Sequence, residues 1–398
     1  MFLRDIESKI LENIENDKII LVLWARQVGK TTVLKKISKE IEEKWGETFF
    51  FNLERGEFLE SFDKSPSNLF DFIGKTTGKK YIFIDEVQYL KNPTNFLKYL
   101  FDEYKWDIKL IVSGSSSFYI DKNFKDSLAG RKVLLEMYSL NFYEFLHFRG
   151  HDNFVQILQK WTEDMPLLYK KDIFSLYHEF MIYGGYPDVV LAPTLQKKKE
   201  YLEELALSYI KKDIFEAKIE YQEKYFFLLK ILANQIGNLL NLHEIANTIN
   251  LSVSTVENYV YIMRKSYHIV TIKPFFSNIR KELTKMPKVY FYDTGLRNYF
   301  INNFESFDER LDKWALLENL VFKNLTKEYR ADDVRFWRTQ NKNEVDFIVD
   351  EKYAIEVKAN MQSFDPKKYG LFVQNYPDIP LECVDLEKSL NMLNLRNS

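Results

Sequence analysis

The 398-residue sequence contains little cysteine, histidine or glycine, and it has no long apolar run. Its single cysteine, Cys383, excludes an internal disulfide and a zinc site built from several cysteines. The five histidines are scattered without the spacing of metal ligands. No apolar stretch approaches the roughly 18 residues that a membrane helix needs, and the first residues lack the apolar core of a signal peptide. We therefore expect a soluble, cytoplasmic protein without a membrane partner.

The charge balance is close to neutral, with 56 basic and 58 acidic residues and a formal net charge of −2. The composition therefore shows no overall basic excess of the kind that indicates nucleic-acid binding. Apolar residues make up 46% of the chain and charged residues 29%, which is typical of folded domains. The 13 glycines are about half the usual share for this length, so we expect them where backbone geometry requires them.

Residues 1–150 alternate short apolar runs with amphipathic segments, a pattern typical of crossover α/β units. The runs are apolar on both faces, which indicates a parallel sheet with helices on each side. Helical patterns dominate residues 151–235 and are interrupted by a Gly-Gly-Tyr-Pro loop at 184–187, and mixed patterns return after residue 300. The predicted fold class is α/β. The predicted strands of the first region are 19–23, 48–52, 81–85, 108–113 and 132–137, with helices at 31–44 and 95–104.

The first predicted strand leads into a candidate phosphate-binding loop. Residues 24–32 read WARQVGKTT, so Gly29, Lys30 and Thr31 stand where such a loop places Gly-Lys-Thr or Gly-Lys-Ser. In this arrangement backbone N–H groups hold phosphate oxygens, Lys30 reaches the β- and γ-phosphates, and the Thr31 hydroxyl binds Mg²⁺. The pattern therefore predicts ATP and Mg²⁺ as cofactors. The predicted nucleotide-binding residues are Arg26, Gln27, Val28, Gly29, Lys30, Thr31, Thr32, Asp85 and Ser113.

Two carboxylates follow the strand at 81–85. Asp85 suits a water-mediated contact with Mg²⁺, and Glu86 suits activation of the attacking water. Each motif alone has a structural alternative, because the loop could be a chance helix start and Asp-Glu could be a helix cap. Their combination, about 55 residues apart in an α/β context, predicts nucleotide binding. At the tip of the next strand Ser113 or Ser115 can contact the γ-phosphate, or these serines only cap the following turn.

Arg131 and Trp24 also bear on catalysis. Arg131 lies beside a glycine turn before the last strand, where an arginine can complete the site of a neighbouring subunit in a homo-oligomer. The alternative is an exposed arginine in an intramolecular ion pair. Trp24 occupies the position of the first glycine of the phosphate-loop pattern. Because tryptophan adopts positive φ poorly, the loop must begin with extended geometry or be strained.

Residues 242–265 have the spacing of a helix–turn–helix, with helices at 242–249 and 253–265. Ser252 or Ser254 is expected to cap the second helix, whose first residues are not basic. Nucleic-acid contact and a packing role both remain open for this segment. Its predicted core is Ile245, Ala246, Ile249, Leu251, Val256, Val260 and Met263. The basic residues that could contact phosphates from a wing are Arg264, Lys265, Arg280, Lys281, Lys285 and Lys288.

Residues 344–349 and 353–358 alternate polar and apolar side chains around a turn at 350–352, which predicts a β-hairpin. This pairing places Asp346 opposite Glu356, on one face with Glu344 and Lys358. Opposed carboxylates repel each other unless a cation lies between them, which predicts a divalent metal, Mg²⁺ or Mn²⁺, with Lys358 positioning or activating a water. The alternative is a solvated hairpin in which Glu344 and Lys358 form an ion pair.

Taken in order, these motifs resemble those of a bacterial and archaeal family of AAA-like ATPases. In that family a P-loop domain is fused to a carboxyl-terminal domain of unknown function that resembles a nuclease. The resemblance covers nearly the whole chain. The motifs that carry it are RQVGKTT (26–32), IDEVQ (84–88), SGSS (113–116), LAGR (128–131), NFYEF (141–145), GGYP (184–187), PKVYFYDTGL (287–296), FWRT (336–339) and EVDF (344–347).

The resemblance implies an ATPase core at 1–150, a helical lid at 151–235, a winged helix at 236–300 and a restriction-endonuclease-like domain at 301–398. The D…E-x-K pattern of restriction-type nucleases matches Asp346, Glu356 and Lys358, and Glu318 fits the acid that such folds supply from a preceding helix. Glu318, Asp346 and Glu356 are thus predicted metal ligands, and Lys358 is a predicted catalytic residue. An inactive fold can keep such carboxylates for binding alone. The family has glycine where this chain has Trp24.

These observations predict an ATP-binding, ATP-hydrolysing protein that acts on nucleic acid, with DNA as the expected partner. Glu86, Arg131 and Lys358 are the predicted catalytic residues. The alternative is a nucleotide-controlled switch or scaffold whose nuclease-like domain binds partners without cleaving. A third possibility is that Trp24 leaves the phosphate loop without function.

Overall fold

The chain folds into two compact units in the computed structural model, which describes residues 4–74, 78–114, 128–160, 166–275, 286–341 and 343–392. The first unit comprises Met1–Ser139 with Lys265–Tyr267, and the second comprises Leu140–Arg264 with His268–Ser398. Within the described ranges no helix is both long enough and apolar enough to cross a membrane.

A five-stranded parallel sheet forms the centre of the first unit. Its strands are β1 (Ile19–Trp24), β2 (Thr48–Asn52), β3 (Lys80–Asp85), β4 (Ile108–Gly114) and β5 (Lys132–Met137). They lie in the order β2-β3-β4-β1-β5, and each neighbouring pair is parallel. All residues of β1, β3 and β4 are buried, as expected for strands with helices on both faces. The predicted α/β class and strand positions are therefore confirmed.

The described helices of the first unit lie before and between these strands. They are α1 (Asp5–Glu12), α2 (Lys30–Lys44), α3 (Gly56–Lys64), α4 (Leu69–Ile73) and α5 (Pro93–Tyr104). The helix α2 buries Val33, Leu34, Ile37 and Ile41, a helical spacing that places one apolar face on the sheet. The helix α5 begins with Pro93 after a capping Asn92, whose side chain accepts a hydrogen bond from the Asn95 N–H.

Trp24 is the last residue of β1 and pairs with Met137 of β5. Its side chain is 1% exposed, and its φ is not positive. The N–H of Ala25 donates to the Met137 carbonyl at 3.0 Å, so the ladder continues one residue beyond the strand. The phosphate loop therefore begins with extended geometry, the unstrained of the two possibilities, and the tryptophan side chain belongs to the core.

Helices dominate the first part of the second unit. They are α6 (Phe142–Phe148), α7 (Asp152–Gln159), α8 (Leu167–Tyr183), α9 (Pro187–Leu191), α10 (Leu195–Glu216) and α11 (Gln222–Asn234). The helix α6 starts with a capping box in which the Asn141 and Glu144 side chains each accept a backbone N–H bond from the other residue.

The Gly-Gly-Tyr-Pro segment forms the predicted break, between α8 and α9. Gly184 has φ of +76°, and a side chain there would overlap the carboxylate of Asp293. A side chain at Gly185 would overlap the carbonyl of Leu140. The Gly185 N–H donates to Asp293 Oδ2 at 2.9 Å, so the missing side chains let the backbone reach this buried acid.

The predicted helix–turn–helix is present, as α12 (Leu242–Ile249) and α13 (Val253–Lys265). Ser252 Oγ accepts a hydrogen bond from the Thr255 N–H at 3.1 Å and so caps α13. The strands β6 (Ile269–Ile272) and β7 (Lys288–Phe291) form an antiparallel pair, and Leu239 bridges to Lys288. Leu251 is partly exposed, and the other predicted core residues are buried: Ile245, Ala246, Ile249, Val256, Val260 and Met263.

A four-stranded sheet lies in the carboxyl-terminal part of this unit. The strands are β8 (Val334–Arg338), β9 (Glu344–Val349), β10 (Tyr353–Val357) and β11 (Leu381–Val384), and the helices of this part are α14 (Thr294–Phe300), α15 (Lys313–Leu325), α16 (Gly370–Asn375) and α17 (Leu386–Asn391). The sheet order is β11-β10-β9-β8, with β10 and β11 parallel and the other pairs antiparallel. The predicted hairpin is thus β9–β10.

The larger of two apolar clusters runs through this second unit. It includes Tyr177 of α8, Tyr290 of β7, Phe322 of α15 and Phe347 of β9. These residues come from the segments predicted as lid, winged helix and nuclease-like domain, which therefore pack together within a single unit. The first unit ends at Ser139 apart from its short second segment, and the internal boundaries at 235 and 300 stay predictions.

The predicted basic wing needs one correction. Lys288 is 1% exposed on β7, so it is not available to contact phosphates from a wing. Arg264 is exposed at the end of α13, and Lys265 belongs to the first unit. The other predicted wing residues, Arg280, Lys281 and Lys285, lie outside the described residues.

The glycine at the start of α14 should be essential for packing. A side chain at Gly295 would overlap the Tyr183 carbonyl and the Gly184 nitrogen, both backbone atoms that cannot swing away. We expect Gly295→Ala to destabilise the second unit by about 2 kcal/mol or more. Calorimetry should show a lower melting temperature for this variant. Gly370→Ala is the matched control, because open space surrounds that position, and equal melting temperatures for the two variants would contradict the packing described here.

Replacing Trp24 with glycine should lower the stability of the first unit and should not strengthen phosphate binding by the loop. Trp24 fills a buried site, and loss of a buried aromatic side chain costs about 3–5 kcal/mol. We expect Trp24→Gly to lower the denaturation midpoint of the first unit without raising its affinity for ATP. Trp106→Gly, at a residue that is 73% exposed, is the control and should change the midpoint little. Tighter ATP binding by Trp24→Gly would contradict this expectation.

Candidate functional site

Three strands of the first unit end at the same edge of the parallel sheet. The registers pair Val22 of β1 with Ser113 of β4, and Ile84 of β3 with Val112 of β4. The loop after β1, the carboxylates that close β3 and Ser113 therefore meet at the carboxyl edge of the sheet. This edge is where open α/β sheets bind their ligands.

The predicted phosphate loop joins β1 to α2. Gln27 has φ of +53° and Gly29 has φ of +85°, so two left-handed residues turn the backbone before the helix begins at Lys30. Such alternation directs successive N–H groups into a concave surface that favours anions. Arg26 and Val28 are buried, whereas Gln27, Thr31 and Thr32 are exposed.

Arg4 supports this loop from the amino-terminal segment. Its guanidinium donates hydrogen bonds to the Val28 carbonyl at 2.7 Å and to the Tyr138 carbonyl at 2.8 Å. The arginine is only 6% exposed. Sequence reasoning did not predict this residue, and an arginine just before the first helix carries no motif that would have indicated it.

Lys30 lies against both predicted acids. Its Nζ atom is 2.9 Å from Asp85 Oδ1, and it also forms an ion pair with Glu86. Asp85 is 2% exposed and Glu86 is 6% exposed, so the two carboxylates are withdrawn from solvent. In a water-poor site a charge interaction is stronger than at the surface. The residues of the two sequence motifs are thus brought together, and their roles in nucleotide binding stay predictions.

Ser113 belongs to the same cluster. Its hydroxyl donates to Asp85, and its oxygen accepts the Glu86 N–H at 3.4 Å. Glu86 itself has φ of +61°, and its carboxylate accepts a hydrogen bond from Gln88. Ser113 therefore holds the carboxylates in place, and its predicted contact with a γ-phosphate stays a prediction. Ser115 lies outside the described residues.

This arrangement fits a nucleoside triphosphate with Mg²⁺. The loop backbone offers N–H donors at the start of α2, Lys30 provides a positive charge, and Thr31 presents an exposed hydroxyl beside it. Asp85 and Glu86 provide hard oxygen ligands and a base of suitable chemistry. A bound triphosphate would supply the phosphoanhydride bond that these groups could act on.

Arg131 lies at the opposite edge of the sheet. The Arg131 carbonyl accepts the N–H of Ile19, which is the first residue of β1. The phosphate loop, in contrast, follows Trp24, the last residue of that strand. A strand of this length separates the two by roughly 17 Å. The guanidinium pairs with Asp102 at 2.8 Å and lowers the pKa of that carboxyl through its hydrogen bond. This ion pair agrees with the alternative considered for Arg131, and catalysis by this arginine would require the site of a second chain.

The second unit contains a carboxylate cluster around Lys288. Its Nζ atom lies 2.7 Å from Glu344 Oε1, 2.9 Å from Glu318 Oε1 and 3.3 Å from Asp346 Oδ1. Tyr290 donates its hydroxyl to the same Glu318 oxygen at 2.5 Å. One acid of α15 and two acids of β9 are thus joined by one lysine, which the sequence had suggested for phosphate contact instead.

The hairpin has the predicted register. Tyr353 pairs with Val349 and Ile355 with Phe347, so Asp346 and Glu356 follow directly beyond the paired residues. There the Asp346 carboxylate accepts the N–H of Val357 at 2.9 Å.

Glu356 is 5% exposed, and its carboxylate forms an ion pair with Lys358. The solvated hairpin with a Glu344–Lys358 pair is therefore not observed, because Lys358 contacts Glu356 and Glu344 contacts Lys288.

Burial and crowding change the ionisation of this cluster. Burial, followed by the charge of Asp346, raises the pKa of Glu318 to about 7 and that of Glu356 to about 7. Burial acts to lower the pKa of Lys288, but Glu318, Tyr290 and the other acids outweigh it and hold that pKa well above its ordinary value. Lys288 is therefore charged at neutral pH.

The described side chains do not fit the predicted metal site. A divalent ion bound by Glu318, Asp346 and Glu356 would have to share Glu318 and Asp346 with the ammonium of Lys288. Across the described ranges no group of three or more His, Cys, Asp or Glu side chains has an arrangement suited to a metal ion.

The chain resembles proteins from both archaea and bacteria along most of its length. An uncharacterized protein of Methanocaldococcus jannaschii is 28% identical over 395 residues, which cover 96% of this chain and 83% of that protein. An uncharacterized protein of Haemophilus influenzae is 24% identical over 357 residues, which cover 86% and 82%. Among solved structures, the chain is similar to the replication initiator DnaA bound to AMPPCP and single-stranded DNA, with 13% sequence identity. The match covers 66% of this chain and 90% of the DnaA chain. Its TM-score of 0.32 is too low to support a shared fold or function.

Family models match three segments of the chain. Residues 174–306 match a domain of unknown function (DUF8612), and residues 314–384 match another (DUF4143). Residues 16–146 match an AAA domain, and they contain the phosphate loop, Asp85, Glu86 and Ser113. This match supports the AAA-like ATPase class that the sequence predicted for this part of the chain.

Proposed function

We propose that this protein binds ATP with Mg²⁺ and hydrolyses it at the edge of the first sheet. The observation that carries the proposal is the convergence of Lys30 with Asp85 and Glu86 directly beside the phosphate loop. Structural ion pairs of this kind do occur elsewhere, but here the lysine is the first residue of a helix that follows two left-handed loop residues. That combination suits phosphate binding better than a purely structural role.

Each residue has a distinct role in the proposal. The loop backbone and Lys30 neutralise phosphate charge, and the Thr31 hydroxyl and Asp85 hold Mg²⁺. Glu86 accepts a proton from the attacking water, and Ser113 keeps Asp85 in position. Gln88 restrains the Glu86 carboxylate from its other side.

A homo-oligomer would give Arg131 a catalytic role. The residue lies too far from the loop of its own chain, and its side chain is 33% exposed at the surface of the first unit. In a ring or filament the Arg131 guanidinium of one chain could reach the site of the next and stabilise charge on the phosphoryl group. Its ion pair with Asp102 would have to open on assembly.

Nucleic acid, with DNA as the expected form, is the proposed partner. The supporting observation is the exposed polar face of α13, the second helix of the helix–turn–helix. Its residues recur at helical spacing and are Ser254, Glu257, Asn258, Tyr261 and Arg264. The antiparallel pair β6–β7 follows this helix, as in a winged helix. The restriction-endonuclease-like assignment of the last segment rests on the sequence resemblance.

The ATPase proposal predicts separable effects at Lys30 and Glu86. Lys30→Ala should abolish ATP binding, because the positive charge against the phosphates is lost. Glu86→Gln should keep ATP binding and lower kcat by about 100-fold or more, because the base is lost while its shape remains. Binding is measured with a fluorescent ATP analogue, and turnover by phosphate release.

Lys35→Ala is the matched control for this experiment, since Lys35 lies on the same helix with an exposed side chain. It should behave like the wild type in both assays. Unchanged ATP binding by Lys30→Ala would show that the phosphate loop does not function as proposed.

The DNA proposal predicts a salt-dependent effect at the end of α13. Arg264→Ala should weaken duplex DNA binding about 3- to 10-fold and reduce the slope of log affinity against log salt concentration by about 1. Fluorescence anisotropy at several salt concentrations measures both quantities. Arg330→Ala, an exposed arginine of the same unit outside this helix, serves as control. If neither DNA binding nor DNA stimulation of ATP turnover is found, a nucleotide-controlled switch becomes the better assignment.

A further inference from the structure

Lys288 is a buried lysine whose charge is surrounded by three carboxylates. The side chain is 1% exposed, and every residue of β7 around it is buried. A lysine ammonium has three N–H donors, and oxygens of Glu318, Glu344 and Asp346 lie at hydrogen-bonding distance from it. Each of the three N–H donors of Lys288 therefore has one carboxylate acceptor.

Two of the three acids are also engaged at their second oxygen by protein donors. Arg338 donates to the second oxygen of Glu344 at 2.5 Å, and the second oxygen of Asp346 accepts the backbone N–H of β10. The Tyr290 hydroxyl shares the Glu318 oxygen that faces Lys288. Few lone pairs are left for another cation, and a divalent ion would need several of them at 2.0–2.6 Å.

The remaining predicted ligand is neutralised in the same way. The carboxylate of Glu356 is paired with Lys358, the lysine that the sequence pattern assigns to water activation. Each acid of the predicted metal set therefore has a lysine partner within the second unit. The electrostatic need that predicted a metal ion is met by two ammonium groups.

The glycine at position 237 closes the cluster on the side of the helix–turn–helix. A side chain at Gly237 would press against the Glu318 carboxylate. The backbone N–H of Gly237 donates to the Val289 carbonyl at 2.9 Å. The main chain next to β7 thus lies directly on the acid that Lys288 contacts. This close contact holds β7, and with it Lys288, against α15.

We propose that Lys288 is the built-in cation of this carboxylate cluster, so that the site binds no divalent metal ion and cleaves no phosphodiester. The cluster then serves to fasten β7 to α15 and to the hairpin. This inference does not depend on whether the first unit hydrolyses ATP.

The proposal is tested by Mn²⁺ binding to the full-length protein in the absence of nucleotide, followed by electron paramagnetic resonance of free Mn²⁺. The wild type should bind no Mn²⁺ that depends on Asp346, so wild type and Asp346→Asn should give the same titration. Lys288→Met removes the ammonium and leaves its acids unpaired. This variant should gain one site, with a dissociation constant on the order of 0.1–1 mM as for weak carboxylate sites.

Two further variants define the new site. Lys288→Met combined with Asp346→Asn should lose it again. Lys323→Met is the matched control, because Lys323 is also a buried lysine of this unit and pairs with Asp293 at 3.1 Å, outside the cluster. Circular dichroism and thermal melting establish that each variant is folded.

Two results would overturn the proposal. One is Asp346-dependent Mn²⁺ binding by the wild type, which needs no variant at Lys288 and is decisive even if Lys288→Met fails to fold. The other is a folded Lys288→Met that gains no site, because the lysine would then not be standing in for a metal ion. DNA cleavage by the wild type that Asp346→Asn abolishes would exclude the catalytic part of the proposal.

Discussion

A lysine ammonium held between carboxylates is the interaction on which both sites of this chain depend. In the first unit Lys30 faces Asp85 and Glu86 at the end of the parallel strands. In the second unit Lys288 lies among acids from α15 and β9, including Glu318. Neighbouring carboxylates in a water-poor interior repel each other strongly, and a single cation turns that repulsion into cohesion. The backbone must then bring the cation and its acids to one point, which constrains the ends of β1 and β3 and the position of β7.

The two lysines differ in their exposure to solvent and in the groups that surround them. The Lys30 side chain is 16% exposed and sits next to a loop of backbone donors, so a phosphate can compete for it. The Lys288 side chain is 1% exposed and is held by three acids, two of which accept a further protein donor at their second oxygen. Exchange of partners is possible in the first case and costly in the second, because removal of one member leaves buried charges unpaired. Under the two proposals, the same pairing serves phosphate binding and hydrolysis at one site and cohesion at the other.

Local patterns predicted most of the fold, because they depend on neighbouring residues. Alternating apolar runs located the parallel strands within one residue, and the capping and spacing around Ser252 located α12 and α13. The hairpin register followed from the turn at 350–352. Long-range contacts escaped prediction. Arg4 donates hydrogen bonds to the carbonyls of Val28 and Tyr138 from a segment that carries no motif. Trp24 stands at the first glycine position of the phosphate-loop pattern, but its pairing with Met137 makes it the last residue of a strand.

The carboxylate cluster shows where sequence reasoning reaches its limit. Opposed acids such as Asp346 and Glu356 require positive charge nearby, and that requirement is readable from the hairpin alone. The identity of the cation is not, because it is set by which distant side chain the fold delivers to the same point. Lys288 lies in a strand 58 residues before Asp346, in a stretch whose basic residues suggested phosphate contact. A nuclease-like carboxylate pattern therefore establishes that a cation is needed, and only the surrounding fold decides between a bound metal ion and a lysine.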